Sequence, residues 1–181
     1  MKIEFNIKPY QGCMDIKVSY KKEEINQDFF YLNKDFIINK CLADNKECNI
    51  TENAELFKYE DFWGYEVNKY YLPQSFEQIE IEYTGYLTGK TGSCPYVRET
   101  ISPEFTFIRW ESFCYPLFFD ENGGKIHEFL SASANIDIVL EVQDEFIAVS
   151  NVDEIASYNE NGIRRYKRPL RKLRNSQIKV V

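Results

Sequence analysis

The chain has 181 residues, which fits one domain. Its residues are 44% hydrophobic and 16% aromatic, so a core is easily supplied, and the abundance of Tyr, Phe and Ile favours β-structure. The net charge of −7 makes nucleic acid a poor default partner.

The cysteines and the N-terminal residues give an expectation for the cellular location of the protein. The five cysteines form an odd set without a C-x-x-C motif: Cys13, Cys41, Cys48, Cys94 and Cys114. A small secreted domain usually has an even disulfide framework, so we expect reduced thiols and a cytoplasmic location. The first residues, MKIEFNIK, alternate in polarity and do not resemble a signal peptide. No apolar run is long enough to span a membrane.

Alternating apolar residues predict strands along much of the chain. The pattern covers residues 3–7, 14–20, 78–87 and 136–142, each with an apolar face and a polar face. Gly12 lies between the first two segments and predicts a hairpin turn there. One-sided strands of this kind are typical of antiparallel sheets with one solvated face.

Helix patterns are scarce and turn residues are frequent. The single helical prediction is a short turn near Thr51 to Leu56, which Thr51 could cap. Turns are predicted at Asp44-Asn45, Gly89 to Gly92, Asn122 to Gly124 and Asn161-Gly162. The predicted fold class is all-β, an antiparallel β-sandwich or a saddle-shaped sheet. We expect one β-domain over residues 1–181, with a basic tail or exit strand at residues 164–181.

The sequence contains no recognisable catalytic or metal-binding constellation. His127 is the only histidine, so two imidazoles cannot share a zinc ion, and we expect no metal and no cofactor in this chain. Cys114 lies between Phe113 and Tyr115, where packing is a better interpretation than nucleophilic catalysis.

Residues 164–174 carry seven basic side chains and no acidic one. Such a run can contact nucleic acid or another anionic surface. It can also be a solvated strand face, or a seam against an acidic neighbour. Because no recognition motif accompanies it and the rest of the chain is acidic, we predict no nucleic-acid partner.

Three segments in a fixed order carry a family resemblance. They are residues 30–38 (FYLNKDFII), 78–87 (QIEIEYTGYL) and 110–120 (WESFCYPLFFD). This succession resembles the N-terminal β-domain of the aminopeptidase N family of zinc metallopeptidases. The strand at residues 136–142, the run AVSN at 148–151 and the turn at Asn161-Gly162 resemble the end of that domain.

The resemblance implies a domain that does not carry the zinc. In active members the N-terminal domain supplies a Gln or Glu that binds the substrate's α-amine, about nine residues before the family's Pro. Counting back from Pro116 reaches Phe107, so that role is not transferred. The nearest charged residues, Glu104, Arg109 and Glu111, are the candidates for contact with a partner or substrate.

Two functions are open at this point. The first is a non-catalytic β-domain, not an enzyme by itself, that forms a scaffold or substrate-cleft wall for a metallopeptidase domain in cis. Such a domain should expose an apolar patch towards its neighbour. The alternative is a stand-alone β-sandwich that binds peptide or carbohydrate through exposed aromatic residues. The aromatic candidates are Trp63, Tyr65, Tyr70, Tyr71 and Trp110.

Overall fold

The computed structural model describes residues 1–25, 27–58, 66–87, 99–109, 112–118, 137–150, 156–168 and 177–180. These residues form fourteen β-strands in three sheets. They also include two short 3-10 turns, Pro9–Gln11 and Lys22–Glu24, and a 3-10 residue at Ser112. The predicted all-β class is confirmed. In this described part of the chain, no helix has the length and apolar character needed to cross a membrane.

The strands follow one another along the chain with short connections in the N-terminal half. They are β1 Lys2–Lys8, β2 Cys13–Lys21, β3 Phe29–Asn33, β4 Ile37–Ala43, β5 Lys46–Glu47, β6 Thr51–Lys58, β7 Glu66–Tyr71, β8 Gln78–Tyr86, β9 Thr106–Arg109, β10 Asp137–Gln143, β11 Ala148–Ser150, β12 Ala156–Glu160, β13 Ile163–Arg168 and β14 Gln177–Val180.

The largest sheet has eight strands in the order β12-β13-β10-β1-β2-β8-β4-β5. Strands β1 and β2 form the predicted hairpin, and Gly12 turns the chain with φ +66°, a value that favours glycine. Strand β10 lies parallel to β1, whereas the other pairs in this sheet are antiparallel. The expectation of a purely antiparallel sheet is therefore wrong. Strand β10 joins the edge of β1 that β2 leaves free, and it runs in the same direction as β1. The sheet is mixed because this one pair is parallel.

The alternation in the central strands places one face in the core. Ile3, Phe5 and Ile7 of β1 are at most 1% exposed, and the apolar residues of β2 and β8 are buried in the same way. On the opposite face, Lys17 of β2 forms ion pairs with two carboxylates of β8, Glu80 at 2.6 Å and Glu82 at 3.4 Å. The predicted division into a buried face and a polar face is confirmed for these strands.

The first matched segment, residues 30–38, is two strands and not one. Strand β3 belongs to a three-stranded sheet with the order β3-β7-β6, whereas β4 pairs with β8 in the large sheet. Asn33 turns the chain between them: its Oδ1 accepts the Asp35 amide at 3.0 Å and its carbonyl accepts the Phe36 amide at 3.0 Å. This Asx-type turn moves the chain from one sheet to the other.

The predicted helical turn near Thr51 to Leu56 is wrong, because residues 51–58 form strand β6. This strand pairs antiparallel with β7, with a register shift between Asn53 and Phe57. Pairing with a neighbouring strand outweighs the weak local capping pattern at Thr51.

The third matched segment is mostly irregular where it is described. Residues 112–118 contain a short 3-10 turn and one isolated bridge, Leu117 with Tyr31 of β3. The third sheet has the order β11-β14-β9, so residues 177–180 of the predicted exit strand lie between two strands.

Two of the predicted turns are confirmed. Asp44 and Asn45 join β4 to β5 with φ of 49° and 63°, and Asn161 and Gly162 join β12 to β13 with φ of 53° and 75°. Two successive residues at positive φ suit the twist of a tight hairpin. The predicted turns at 89–92 and 122–124 lie outside the described residues.

The basic run begins on β13, next to acidic neighbours. Arg165 Nε lies 2.6 Å from Oε1 of Glu141 on β10, and its Nη1 lies 3.4 Å from Oε2 of Glu160 on β12. This arrangement agrees with the interpretation of a seam against acidic residues. The basic residues at 171, 172 and 174 lie outside the described part.

The hydrophobic core contains residues of all three sheets. Its buried cluster combines Phe5 and Ile81 of the large sheet with Phe30 of β3, Ile108 of β9 and Ala148 of β11. One cluster therefore ties all three sheets together. A sandwich arrangement stays a prediction.

Candidate functional site

The three matched segments meet at residues 112–118, called here the junction segment. Its Leu117 exchanges two backbone hydrogen bonds with Tyr31 of β3: Tyr31 N to Leu117 O at 2.9 Å and Leu117 N to Tyr31 O at 3.0 Å. Both residues are at most 1% exposed. The first and third matched segments are thus joined directly in the core.

Asn33 makes the second connection between these segments. Its Nδ2 donates to the Ser112 carbonyl at 2.8 Å, and its backbone amide donates to the Phe113 carbonyl at 3.1 Å. Asn33 is 2% exposed, so water does not compete for these bonds. The same side chain that turns the chain after β3 therefore also anchors the junction segment.

Replacing Asn33 by alanine is expected to lower the free energy of unfolding by about 1 to 2 kcal/mol, because the Ser112 carbonyl and the Asp35 amide lose their partner. Urea denaturation measures this loss. Asn39→Ala is a matched control, since the Asn39 amide donates to Thr84 Oγ1 in an exposed setting. Equal stability loss in the two variants would contradict the role given to Asn33.

Two buried tyrosines connect the junction segment to the large sheet. Tyr83 of β8 donates its hydroxyl to the Cys114 carbonyl at 3.0 Å, and Tyr20 of β2 donates to the Pro116 carbonyl at 3.4 Å. Burial is the main cause that raises the pKa of both hydroxyls well above the ordinary value. Both groups therefore remain protonated donors at neutral pH.

These two tyrosines predict a loss of stability in alkali. Their folded-state pKa lies above the unfolded value of about 10, so unfolding releases protons once the pH exceeds that value. Stability should be intact below about pH 10 and should fall as the pH rises further towards the folded-state pKa. Urea denaturation as a function of pH checks this, and Tyr83→Phe should reduce the slope. An unchanged slope in that variant would count against the assignment.

Phe113 has a backbone conformation that needs support. Its φ is 53°, in the left-handed region that a bulky residue rarely adopts. The bond from Asn33 to its carbonyl and the Ser112 hydroxyl bond to the Arg109 carbonyl at 2.5 Å hold the neighbouring backbone. The ring itself is fully buried. The junction segment is therefore fixed on both sides of this residue.

Strand β9 leads into the junction segment and contains the position expected for an amine anchor. Phe107 is 9% exposed, pairs its backbone with Thr100 and stacks on Phe105 with ring centroids 6.1 Å apart. The Arg109 guanidinium lies 5.6 Å from the centre of its ring. An apolar ring here cannot accept hydrogen bonds from an ammonium group as a carboxylate or amide oxygen would.

Arg109 is held in a buried ion pair with Glu99. Its Nε donates to Glu99 Oε1 at 2.8 Å, and the two side chains are 9% and 1% exposed. The Arg109 carbonyl also accepts the Cys114 thiol at 3.5 Å. Sequence reasoning missed Glu99, because the ten-residue separation is closed by the pairing of Thr100 with Phe107. The turn residues Ser102 and Pro103 between them are a sequence pattern that could have indicated this hairpin-like return.

Two of the three candidate contact residues are described, and their surroundings differ. Glu104 is exposed in the turn before β9, whereas Arg109 is buried. Glu111 and Trp110 lie outside the described residues. A contact of Glu104, Arg109 or Glu111 with a partner or substrate stays a prediction.

The aromatic candidates also differ in exposure, and only some of them are described. Tyr70 is 6% exposed and stacks on Phe30 in the core, with ring centroids 5.3 Å apart. Tyr71 is 36% exposed, and the Lys69 ammonium lies 5.0 Å from its ring centre. Trp63 and Tyr65 lie outside the described residues. Among the aromatic candidates that the structure describes, Tyr71 is therefore the one exposed enough to contact a ligand, as the binding-module hypothesis requires.

Within the described ranges, no three His, Cys, Asp or Glu side chains are grouped closely enough to hold a metal ion. His127 and Cys94 lie outside those ranges. Cys114 is 2% exposed, in agreement with the packing interpretation.

Comparisons with known proteins place this fold. No family model matches the chain, and no curated protein matches it. A mutant M1 zinc metallopeptidase from Deinococcus radiodurans, bound to a Tyr-Ser-Ala substrate, matches with a TM-score of 0.62 at 10% identity, over 98% of this chain and 40% of that one. An aminopeptidase N family protein from Idiomarina loihiensis matches with a TM-score of 0.57 at 10% identity, over 99% and 29%. Yeast LTA4 hydrolase in complex with bestatin matches with a TM-score of 0.57 at 8% identity, over 100% and 28%.

The resemblance inferred from the ordered segments is thus confirmed at the level of the fold. The chain spans 28% to 41% of the length of the proteins it matches. Its strands correspond to the N-terminal part of M1 aminopeptidases.

Proposed function

We propose that this chain is a non-catalytic β-domain of a zinc aminopeptidase-like protein. It serves as a scaffold or substrate-cleft wall for a metallopeptidase domain in cis that is not among these residues. The observation that carries this proposal is the extent of the structural match, 98% to 100% of this chain but 28% to 41% of the matched enzymes. A cytoplasmic location and the lack of a cofactor remain predictions from the sequence.

The chemistry of strand β9 supports a wall rather than a reaction centre. Phe107 occupies the position at which the resemblance would place an amine anchor, and Arg109 is engaged with Glu99. The sequence has a single histidine, whereas the zinc site of the family needs two. Binding of a substrate amine and activation of water would therefore require groups from another domain.

Exposed apolar side chains support a neighbouring domain. Tyr10 is 64% exposed with its ring 5.5 Å from Phe146, and the adjacent Ile147 is 55% exposed. Ile37, on β4, is 59% exposed. Where exposed apolar side chains form a patch, that patch often marks a contact surface.

Incubation with aminoacyl-amide substrates and zinc tests the proposal. The purified chain should give no turnover, while the Deinococcus radiodurans M1 zinc metallopeptidase, assayed in parallel, provides the positive control. Hydrolysis by this chain that a chelator abolishes would overturn the proposal. The alternative, a binding module for peptide or carbohydrate, rests on Tyr71 and predicts ligand binding that Tyr71→Ala removes.

A further inference from the structure

Cys41 and Cys48 face each other across the edge hairpin of the large sheet. In this hairpin Ala43 pairs with Lys46 and Leu42 with Glu47, so the two cysteines form the next pair. The Cys48 amide donates to the Cys41 carbonyl at 3.0 Å. Residues directly opposite in such a hydrogen-bonded pair have Cα atoms about 5.5 Å apart, which is the separation that disulfides prefer.

The two thiols are already in contact. Their sulfur atoms lie 2.7 Å apart, so small side-chain rotations suffice to form a bond. Cys41 is 4% exposed, whereas Cys48 is partly exposed. A reagent in solvent therefore reaches the Cys48 sulfur before the Cys41 sulfur.

A cleft next to the pair can admit a small molecule. It has a volume of about 510 Å³, and both cysteines line it together with Lys34, Lys40 and Glu47. This volume is within the range of small-molecule sites in proteins. Two lysines against one glutamate give the lining a positive balance, which favours a ligand that carries carboxylates.

We propose that Cys41 and Cys48 are a redox-active dithiol pair, oxidised to a disulfide by a small carboxylate-bearing disulfide of the glutathione class. The Cys48 thiolate attacks one sulfur of glutathione disulfide, whose S–S bond breaks and releases one glutathione thiolate. The Cys41 sulfur, as it loses its proton, then attacks the Cys48 sulfur of the mixed disulfide and releases the second glutathione. Two protein thiols are oxidised, and one glutathione disulfide is reduced to two glutathione molecules, which carry both protons.

The environment of each sulfur gives the order of these steps. Burial, followed by the hydrogen bond with Cys48, raises the pKa of the Cys41 thiol, so Cys41 stays protonated while Cys48 reacts. Cys41 is then in place to resolve the mixed disulfide. The bond would fix the two-residue strand β5 to β4 at the sheet edge.

Trapping with mass spectrometry tests the pair. The folded chain is incubated with glutathione disulfide, quenched with acid at successive times, alkylated and digested. We expect a linked Cys41–Cys48 peptide, preceded in time by a glutathione adduct on Cys48. In Cys41→Ser the adduct on Cys48 should accumulate, and in Cys48→Ser no linked peptide should form. Cys13→Ser is the matched control and should behave like the parent chain.

The early adduct in the parent chain keeps the test valid if a cysteine variant fails to fold. The proposal is overturned if Cys41 and Cys48 remain separately alkylated at all times. Adducts that appear on Cys13 or Cys114 as fast as on Cys48, without a linked peptide, would also overturn it. Neither outcome depends on the domain's role beside a metallopeptidase.

Discussion

Replacing Glu99 by alanine is expected to lower the free energy of unfolding by about 3 to 5 kcal/mol, because it removes one partner of a buried ion pair with Arg109. The pair is almost fully enclosed, with side chains 1% and 9% exposed. Desolvation of a charged group is costly, and without Glu99 the buried Arg109 guanidinium loses a carboxylate that offsets this cost. Chemical denaturation of the two proteins measures the difference.

Two further variants separate this effect from a general loss of charge. Glu160→Ala breaks a surface contact with Arg165 in which the Glu160 side chain is 60% exposed, and its effect on stability should be small because solvent screens the pair. The double variant Glu99→Leu with Arg109→Met removes both charges and should recover most of the stability that Glu99→Ala loses. The assignment fails if Glu99→Ala is no more harmful than Glu160→Ala.

Replacing Gly85 by valine is expected to lower the free energy of unfolding by about 3 kcal/mol, because an added side chain overpacks the core. A Cβ at this position would lie 2.7 to 2.9 Å from three ring atoms of Phe36. Phe36 is 2% exposed and stacks on Tyr83 with ring centroids 6.0 Å apart, so its ring has little room to move.

A second substitution tests whether the ring of Phe36 is what requires glycine at position 85. Phe36→Leu in the Gly85→Val background removes the obstructing ring atoms and should restore part of the stability, although Phe36→Leu alone destabilises. A double-mutant cycle from denaturation curves gives the coupling between the two positions. Additive losses would show that the ring of Phe36 is not what requires glycine here.

Much of the large sheet could be predicted from the period of two. In β1, β2 and β8 every second residue is apolar, and these are the buried ones, because one face of each strand packs on the core. The hairpin at Gly12 could also be predicted, because glycine is a local turn signal. Local patterns succeed where burial and turn geometry depend on neighbours in sequence.

The failures have long-range causes. The run FYLNKDFII looks continuous, but Asn33 bonds to Ser112, distant in sequence, and the chain changes sheet there. The parallel pairing of β1 with β10 depends on where the chain returns, which no local pattern encodes. Residues 51–58 became a strand because β7 pairs with them.

The candidate site shows the same limit. The charge of Arg109 was visible in the sequence, but its partner Glu99 was not, and burial of the pair changes what Arg109 can do. The three matched segments were read correctly as an ordered set. The structure adds the reason for their order: Tyr31, Asn33 and Tyr83 hold the junction segment in the core.

Native-state hydrogen exchange tests most directly whether the junction segment is a fixed part of a wall. The amides of Tyr31, Asn33 and Leu117 should exchange only through global unfolding, with the same free energy of opening as the central amides of β2 and β8. Exchange of Leu117 and Asn33 at a distinctly lower free energy, while β2 and β8 stay protected, would show that residues 112–118 open by themselves. That result would contradict a fixed wall and would favour a mobile functional loop.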